Sequence, residues 1–159
     1  MMCDFLLELK LKSIIPNIED MRNILNIKEG YVIPVLTPFT FDPSVVDIFC
    51  ALNYGGTLLV FSEALKKKLD SVWNILVKEN VTIIQCTPSL LYQFEKYTRV
   101  PSLLSVLSSL KHLIIGGEKF PHPTHIHNWF SDGYNENLLL HNIYGVTELS
   151  IVWNNKFFW

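Results

Sequence analysis

The run His141-Asn142-Ile143-Tyr144-Gly145-Val146-Thr147-Glu148 places an amide, an aromatic ring, a glycine, a hydroxyl and a carboxylate close together, directly after an apolar stretch. These are groups that can serve a nucleotide. An aromatic face stacks on a base and an amide reads a base edge, while a hydroxyl donates to a phosphate and a carboxylate holds Mg²⁺ against phosphate oxygens. The same residue types also make an ordinary turn and helix cap, so the run by itself leaves both readings open. Three other places add to it. Leu113-Ile114-Ile115-Gly116-Gly117-Glu118 reads as a strand entering a Gly-Gly turn, where missing side chains let a ligand approach the backbone. Asp42 stands at a predicted helix start after Thr40-Phe41, and Gln85-Cys86-Thr87-Pro88-Ser89 ends a predicted strand beside a helix. His122, His125 and His127 lie near one another, but their spacing is not a familiar ligand set and Pro121 and Pro123 disturb the backbone, so they read as surface histidines. The chain carries no G-x-G-x-x-G and no P-loop, so neither motif announces a dinucleotide fold or a phosphate cradle.

The elements that must position these residues show in the periodicity. Short β-rich apolar runs predict strands at Tyr31–Leu36, Thr57–Phe61, Val81–Cys86, His112–Ile115 and Leu138–Asn142. Several are apolar almost throughout, as expected of strands covered on both faces by crossover helices. Between them Leu65, Leu69, Val72, Trp73 and Leu76 recur at helical spacing, with Lys66, Lys67 and Lys68 at the start of that helix as a solvated face. Leu90, Leu91, Phe94 and Tyr97 repeat the pattern behind a Thr87 cap and Pro88. A further helix enters at Asp42 as N-cap with Pro43 in the first turn, and Gly55-Gly56 ends it. The expected fold class is α/β, a largely parallel sheet flanked by helices. In such a sheet the strand-to-helix turns gather on one edge, where ligands bind. Met1–Lys12 and Asn154–Trp159 belong to no clear element of this pattern.

Composition narrows the function classes. The 159 residues suit one domain, and 49% hydrophobic with 18% charged residues excludes a disordered chain. With 13 Lys and Arg against 15 Asp and Glu, a nucleic-acid partner is not expected. No apolar run suggests a membrane span, and the charged positions Asp4, Glu8, Lys10 and Lys12 argue against reading the start as a signal peptide. Cys3, Cys50 and Cys86 are odd in number and set in apolar surroundings, which fits reduced thiols in a cytoplasmic protein. Asn80-Val81-Thr82 matches a glycosylation pattern by coincidence.

Taken in order and spacing, Phe41-Asp42-Pro43-Ser44-Val45-Val46-Asp47-Ile48-Phe49, then Val81–Ser89, then Gly116-Gly117-Glu118, then Asn142–Glu148 resemble the adenylate-forming enzymes, which include acyl-CoA synthetases, luciferases and the adenylation domains of peptide synthetases. The resemblance covers residues 13–150 as a partial AMP-binding domain, part of the family's N-terminal subdomain, with 1–12 and 151–159 as divergent ends. Ser13 to Val46 looks most like members that activate beta-alanine. It implies an ATP-dependent acid–thiol ligase: a carboxylate attacks the α-phosphorus of ATP, pyrophosphate leaves, and a thiol, such as a phosphopantetheine, takes the acyl group from the adenylate. By motif position Tyr144 looks like the adenine-stacking residue, Asn142 the adenine-edge contact and Gly145 part of the same cofactor loop. Thr147 looks like the phosphate-binding hydroxyl and Glu148 the Mg²⁺ carboxylate. Gly116 and Gly117 look like the wall between adenine and acyl pockets, and Asp42 like the aspartate that meets the amino group of an amino-acid substrate. The implied partners are a small carboxylate and a carrier-protein domain. Fatty acyl-CoA synthetase-like and non-catalytic, at most nucleotide- or partner-binding, readings stand as alternatives, the first opposed by Asp42.

The resemblance also implies that the loop gripping the β- and γ-phosphates lies upstream of this region, and the ribose-binding aspartate and the lysine-bearing C-terminal subdomain downstream of it. The chain is therefore expected to be a fragment of a larger ligase. Losing one preorganised oxyanion donor costs about 10²–10³ in rate. ATP–pyrophosphate exchange with beta-alanine and Mg²⁺ is accordingly expected to be absent from the purified 159-residue chain; exchange abolished by Glu148→Ala would contradict this.

Overall fold

The computed structural model describes residues 11–98, 107–130, 137–146 and 150–157. The first helix, α1 (Leu11–Leu25), forms although Pro16 and Asn17 read as breakers. Ile18, Met21 and Leu25 recur at helical spacing and are fully buried, so packing overrides the local cost of the proline. Asn26 ends the helix in the left-handed conformation (φ 47°), and the Ile27 amide donates back to the Arg22 carbonyl at 3.1 Å. Asn80 (φ 53°) ends a later helix the same way, with Val81 N–H donating to Leu76 O at 3.2 Å.

The remaining described elements run β1 (Val32–Val35), α2 (Asp42–Leu52), β2 (Thr57–Val60), α3 (Glu63–Lys66), α4 (Leu69–Lys78), β3 (Ile83–Cys86), α5 (Pro88–Thr98), β4 (His112–Gly116), α6 (Pro123–Phe130), β5 (Leu139–Val146) and β6 (Ser150–Phe157). The five expected strands are all present within a few residues of their expected bounds. The Leu65–Leu76 stripe forms two helices instead of one: Ser62 caps α3 by accepting from Leu65 N–H at 3.2 Å, and the chain restarts at Leu69. At α2 the cap residue is Phe41 and Asp42 is the first helical residue. There a carboxylate faces the positive end of the helix dipole without serving as N-cap.

Strand β1 pairs with β2, and β3, β4 and β5 pair in that order, all parallel. The two sets meet edge to edge through Thr82. Its hydroxyl accepts from Val32 N–H at 2.9 Å and donates to Val32 O at 3.1 Å, while its own amide donates to that carbonyl at 3.0 Å. The strand sequence across the molecule is thus 2-1-3-4-5-6, with strand order rather than chain direction reversing between β1 and β3. The beginnings of β1, β3, β4 and β5 border one cleft of about 800 Å³, lined among others by Tyr31, Thr82, His112 and Leu139. Their carboxyl ends therefore gather on the opposite edge.

Strand β6 corrects the expectation that Asn154 onward belongs to no element. It runs antiparallel along β5, with Tyr144 opposite Val152 and Leu140 opposite Phe157. The open edge of β5 carries backbone donors and acceptors that a further strand satisfies, whatever the turn-like character of Asn154-Asn155.

Alternate strand residues feed two cores. Ile84, Cys86, Leu113 and Ile115 pack with Trp73, Phe94 and Trp129 of the helices α4, α5 and α6, while Ile33, Ile83 and Ile114 pack with α1 and α2. The sheet is covered on both faces, which is why its strands lack polar alternation. Between β4 and β5, His112 Nδ1 and His141 Nε2 lie 3.0 Å apart in the interior. His141 thus belongs to the packed sheet, although it opens the run that the sequence marks for chemistry.

Replacing Thr82 by the near-isosteric valine leaves the Val32 N–H facing an apolar group. The expected cost is about 1–3 kcal/mol in urea unfolding, with hydrogen exchange fastest in β1 and β2; unchanged stability would show that the hydroxyl contributes nothing to the seam beyond packing and the Thr82 amide bond.

Candidate active site

A pocket of about 240 Å³ lies where the carboxyl ends of β1, β3, β4 and β5 converge. Thr37 and Pro38 follow β1, Phe41 and Pro43 open α2, Cys86 and Thr87 leave β3, and Gly116 and Gly117 end β4, with Ile143 of β5 closing it. This is the crevice that a reversal of strand order opens in a doubly wound sheet. It is smaller than the roughly 300–1,000 Å³ of drug-sized sites, which suits a small ligand.

The two glycines are structural requirements. A Cβ on Gly116 would collide with the Ile143 side chain and stand 2.8 Å from its carbonyl oxygen, and Gly117 holds φ +77°. Side chains at these positions would displace β5 or strain the turn. The lining is mostly apolar, yet Gln85 is 2% exposed and neither its amide oxygen nor its nitrogen has a hydrogen-bond partner. The Thr37 hydroxyl is likewise buried and unsatisfied. Leaving such groups unpaired is costly. Sequence reading singled out Gln85 only as the start of the Gln85–Ser89 strand end, without a role of its own, and did not select Thr37; the further signal available was a polar residue inside an otherwise apolar buried strand.

Two side chains hold the rim. Lys66, expected on a solvated face, keeps only 15% of its side chain exposed: its ammonium donates to the Thr37 carbonyl at 3.1 Å, pairs with Glu63 at 3.3 Å and lies over the Phe39 ring. On the other side the Glu118 carboxylate accepts from both the amide and the hydroxyl of Ser89, at 3.0 and 2.6 Å.

Behind the pocket, one turn along α2 from Pro43, Asp47 is buried and its Oδ2 has no partner; burial pushes its carboxyl well above the usual range. Burial, with Asp47 adding, pushes the Cys50 thiol up to about 12. Burial, then Asp47 and Glu118, raises the Cys86 thiol further. Neither thiol is a nucleophile at neutral pH.

Of the residues expected to form the site, Gly116 and Gly117 line the pocket. Asp42 is half-buried between the lining residues Phe41 and Pro43. Asn142 is half-buried on β5, opposite Ile115. Tyr144 and Gly145 continue β5 beyond Ile143, paired with Val152 and Ile151. Thr147 and Glu148 lie outside the described residues. His122 caps α6, its ring nitrogen 3.0 Å from the Thr124 hydroxyl. Among the described residues no group of three His, Cys, Asp or Glu side chains could hold a metal ion, and no helix is long and apolar enough to cross a membrane.

A family model described as AMP-binding enzyme matches residues 9–157. The chain belongs to that family. The beta-alanine-activating enzyme of Homo sapiens is 37% identical over 140 residues, covering 87% of this chain and 13% of the human protein. The Drosophila melanogaster enzyme of the same name is 35% identical over 91% of this chain and 15% of its own length. The chain thus spans a small part of these relatives. Among solved structures, the Vibrio cholerae adenylation domain AlmE in complex with glycyl-adenosine-5'-phosphate aligns with TM-score 0.75 and 23% identity, covering 91% of this chain and 26% of that one. The likeness is one of fold: parallel strands flanked by helices, matching the architecture of an N-terminal adenylation subdomain.

The buried acid gives this subdomain a pH signature. Burial raises the folded Asp47 carboxyl well above the 3.8 of the unfolded chain, so between those two values the folded state keeps a proton that the unfolded state has lost. Its stabilisation is complete below that value and drains as pH rises toward the raised folded pKa, by about 1.4 kcal/mol per pH unit. Urea unfolding of Asp47→Asn is expected to lack this slope and to exceed wild type at neutral pH.

Proposed function

We propose that the chain carries the adenine and acyl-binding part of an ATP-dependent acid–thiol ligase that activates a small amino acid, beta-alanine being the first candidate. The observation that carries the reading is the small carboxyl-edge pocket with a glycine wall and an unsatisfied buried Gln85 amide. A pocket of about 240 Å³ suits a short acid and disfavours a fatty acyl chain. The curated relatives named for beta-alanine activation support the substrate class.

In this reading the substrate lies between Pro43, Gln85 and the Gly116-Gly117 wall. Its ammonium group meets Asp42 at the start of α2, and the Gln85 and Thr37 oxygens accept further hydrogen bonds. Asn142, Tyr144 and Gly145 hold the adenine across the wall, Thr147 binds phosphate, and Glu148 holds the Mg²⁺ that neutralises charge on the phosphates. The carboxylate oxygen attacks the α-phosphorus in line, and the bond to pyrophosphate breaks. Little covalent work falls to the protein in such a step, which depends on positioning and charge neutralisation. A phosphopantetheine thiol on a carrier domain would then take the acyl group, releasing AMP.

The test is calorimetric titration of the 159-residue chain with a non-hydrolysable beta-alanyl-adenylate analogue. Asp42→Ala and Gln85→Leu are each expected to weaken binding about 10–100-fold, the range for losing a hydrogen bond to a charged group. Wild-type affinity in both variants would remove these residues from the substrate pocket, and no binding by the wild-type chain would overturn the reading.

A further inference from the structure

We infer that Glu118 is a positioning residue that sets the width of the acyl pocket, an inference that rests on the adenylation reading. One wall of the pocket is built from two separate turns, Cys86-Thr87 after β3 and Gly116-Gly117 after β4. At the pocket end these turns have little to hold them together. The β3–β4 ladder stops at Cys86 opposite Ile115, so beyond it no backbone pairing of the sheet fixes their separation. Gly117 has no side chain, and even an added Cβ there would only graze Thr87 Cγ2 at 3.6 Å.

Glu118 bridges that gap. It follows the Gly-Gly turn directly, and one carboxylate oxygen accepts both the amide (3.0 Å) and the hydroxyl (2.6 Å) of Ser89 in the first turn of α5. The position is doubly favourable for an anion, because the first-turn amides of a helix lack partners within it and the helix dipole is positive there. The same carboxylate is close enough to Cys86 to raise its thiol, so its field reaches the pocket lining. Glu118 stands outside the residues that line the pocket and acts through the two turns. With it in place, the Cys86-Thr87 turn cannot swing away from Gly116-Gly117, and the pocket keeps a width that fits a short acid. Without it, the turns part, the wall loosens, and discrimination against bulkier acids falls.

The experiment uses the 159-residue chain with Glu118→Ala, Glu118→Gln and Ser89→Ala. The first measurement needs no ligand: iodoacetamide labelling read by peptide mass mapping, with Cys50, which packs in the other core against α1 and α2, as internal reference. Glu118→Ala is expected to speed labelling of Cys86 about 10–100-fold with Cys50 unchanged, the span for losing hydrogen bonds to a charged group. Glu118→Gln keeps an acceptor oxygen but loses the charge that raises the Cys86 thiol, so it measures the effect of that charge alone and should label more slowly than Glu118→Ala; Ser89→Ala, which keeps the charge, should exceed wild type. The second measurement compares binding of beta-alanyl- and leucyl-adenylate analogues, and Glu118→Ala is expected to lose most of the preference for the smaller one. An unchanged Cys86 rate, or equal acceleration at Cys50 and Cys86, overturns the proposal, the latter because it would mark general loosening of the fold. Unaltered preference between the analogues overturns it too. If wild type binds neither analogue, the adenylation reading falls, and the Cys86 rate alone then decides whether Glu118 holds the wall.

Discussion

The contact between Thr82 and Val32 makes the rest of the molecule possible. A threonine at the start of β3 uses both its hydroxyl and its amide to seize one residue of β1, joining two short parallel sets into a sheet whose order reverses at that seam. Chain direction is preserved across the seam, but the connections on either side leave toward opposite flanks. The crevice between them cannot be closed by a crossover, so it stays open at the carboxyl edge. The pocket, its glycine wall and its unsatisfied amide all follow from this one reversal.

Around that opening the chain uses side chains where backbone ladders end. Lys66 reaches from α3 to the Thr37 carbonyl, Ser44 bonds the Phe41 carbonyl at 2.8 Å, and Glu118 reaches to the start of α5. Each satisfies a backbone group left over at an element terminus and at the same time fixes one stretch of rim. Stability and site geometry are therefore served by the same bonds. Asp47 and Gln85 are exceptions, because they lie buried with polar atoms unsatisfied and so cost stability in the free protein.

Membership of the AMP-binding enzymes fits this economy. Under the proposed ligase reading, holding a carboxylate in line with a phosphorus asks for rigid walls more than for reactive side chains. The raised thiols of Cys50 and Cys86 agree, since burial keeps both protonated and inert. The chain spans 13% of its human relative.

Much of this was legible in the residues themselves. Strands buried on both faces must be apolar throughout, so β1, β3 and β4 announce themselves, and Thr87-Pro88 marks a helix start that the structure contains. Glycine pairs need no context to signal close approach, and Gly116-Gly117 do line the carboxyl-edge pocket. Other features depend on partners distant in the chain. Pro16 argues locally against α1, and only burial of Ile18, Met21 and Leu25 against the sheet outweighs that local cost. Lys66 looks like one of three solvated lysines until the fold brings the Thr37 carbonyl beside it. Strand β6 exists because β5 offers an open edge, and Gln85 becomes informative only once its amide is seen to be buried without a partner. Sequence by itself determined which segments could be strands or helices, since that follows from local spacing and backbone preference. Tertiary structure alone decided which polar groups are paired, because pairing depends on neighbours that loop closure brings together from dozens of residues away.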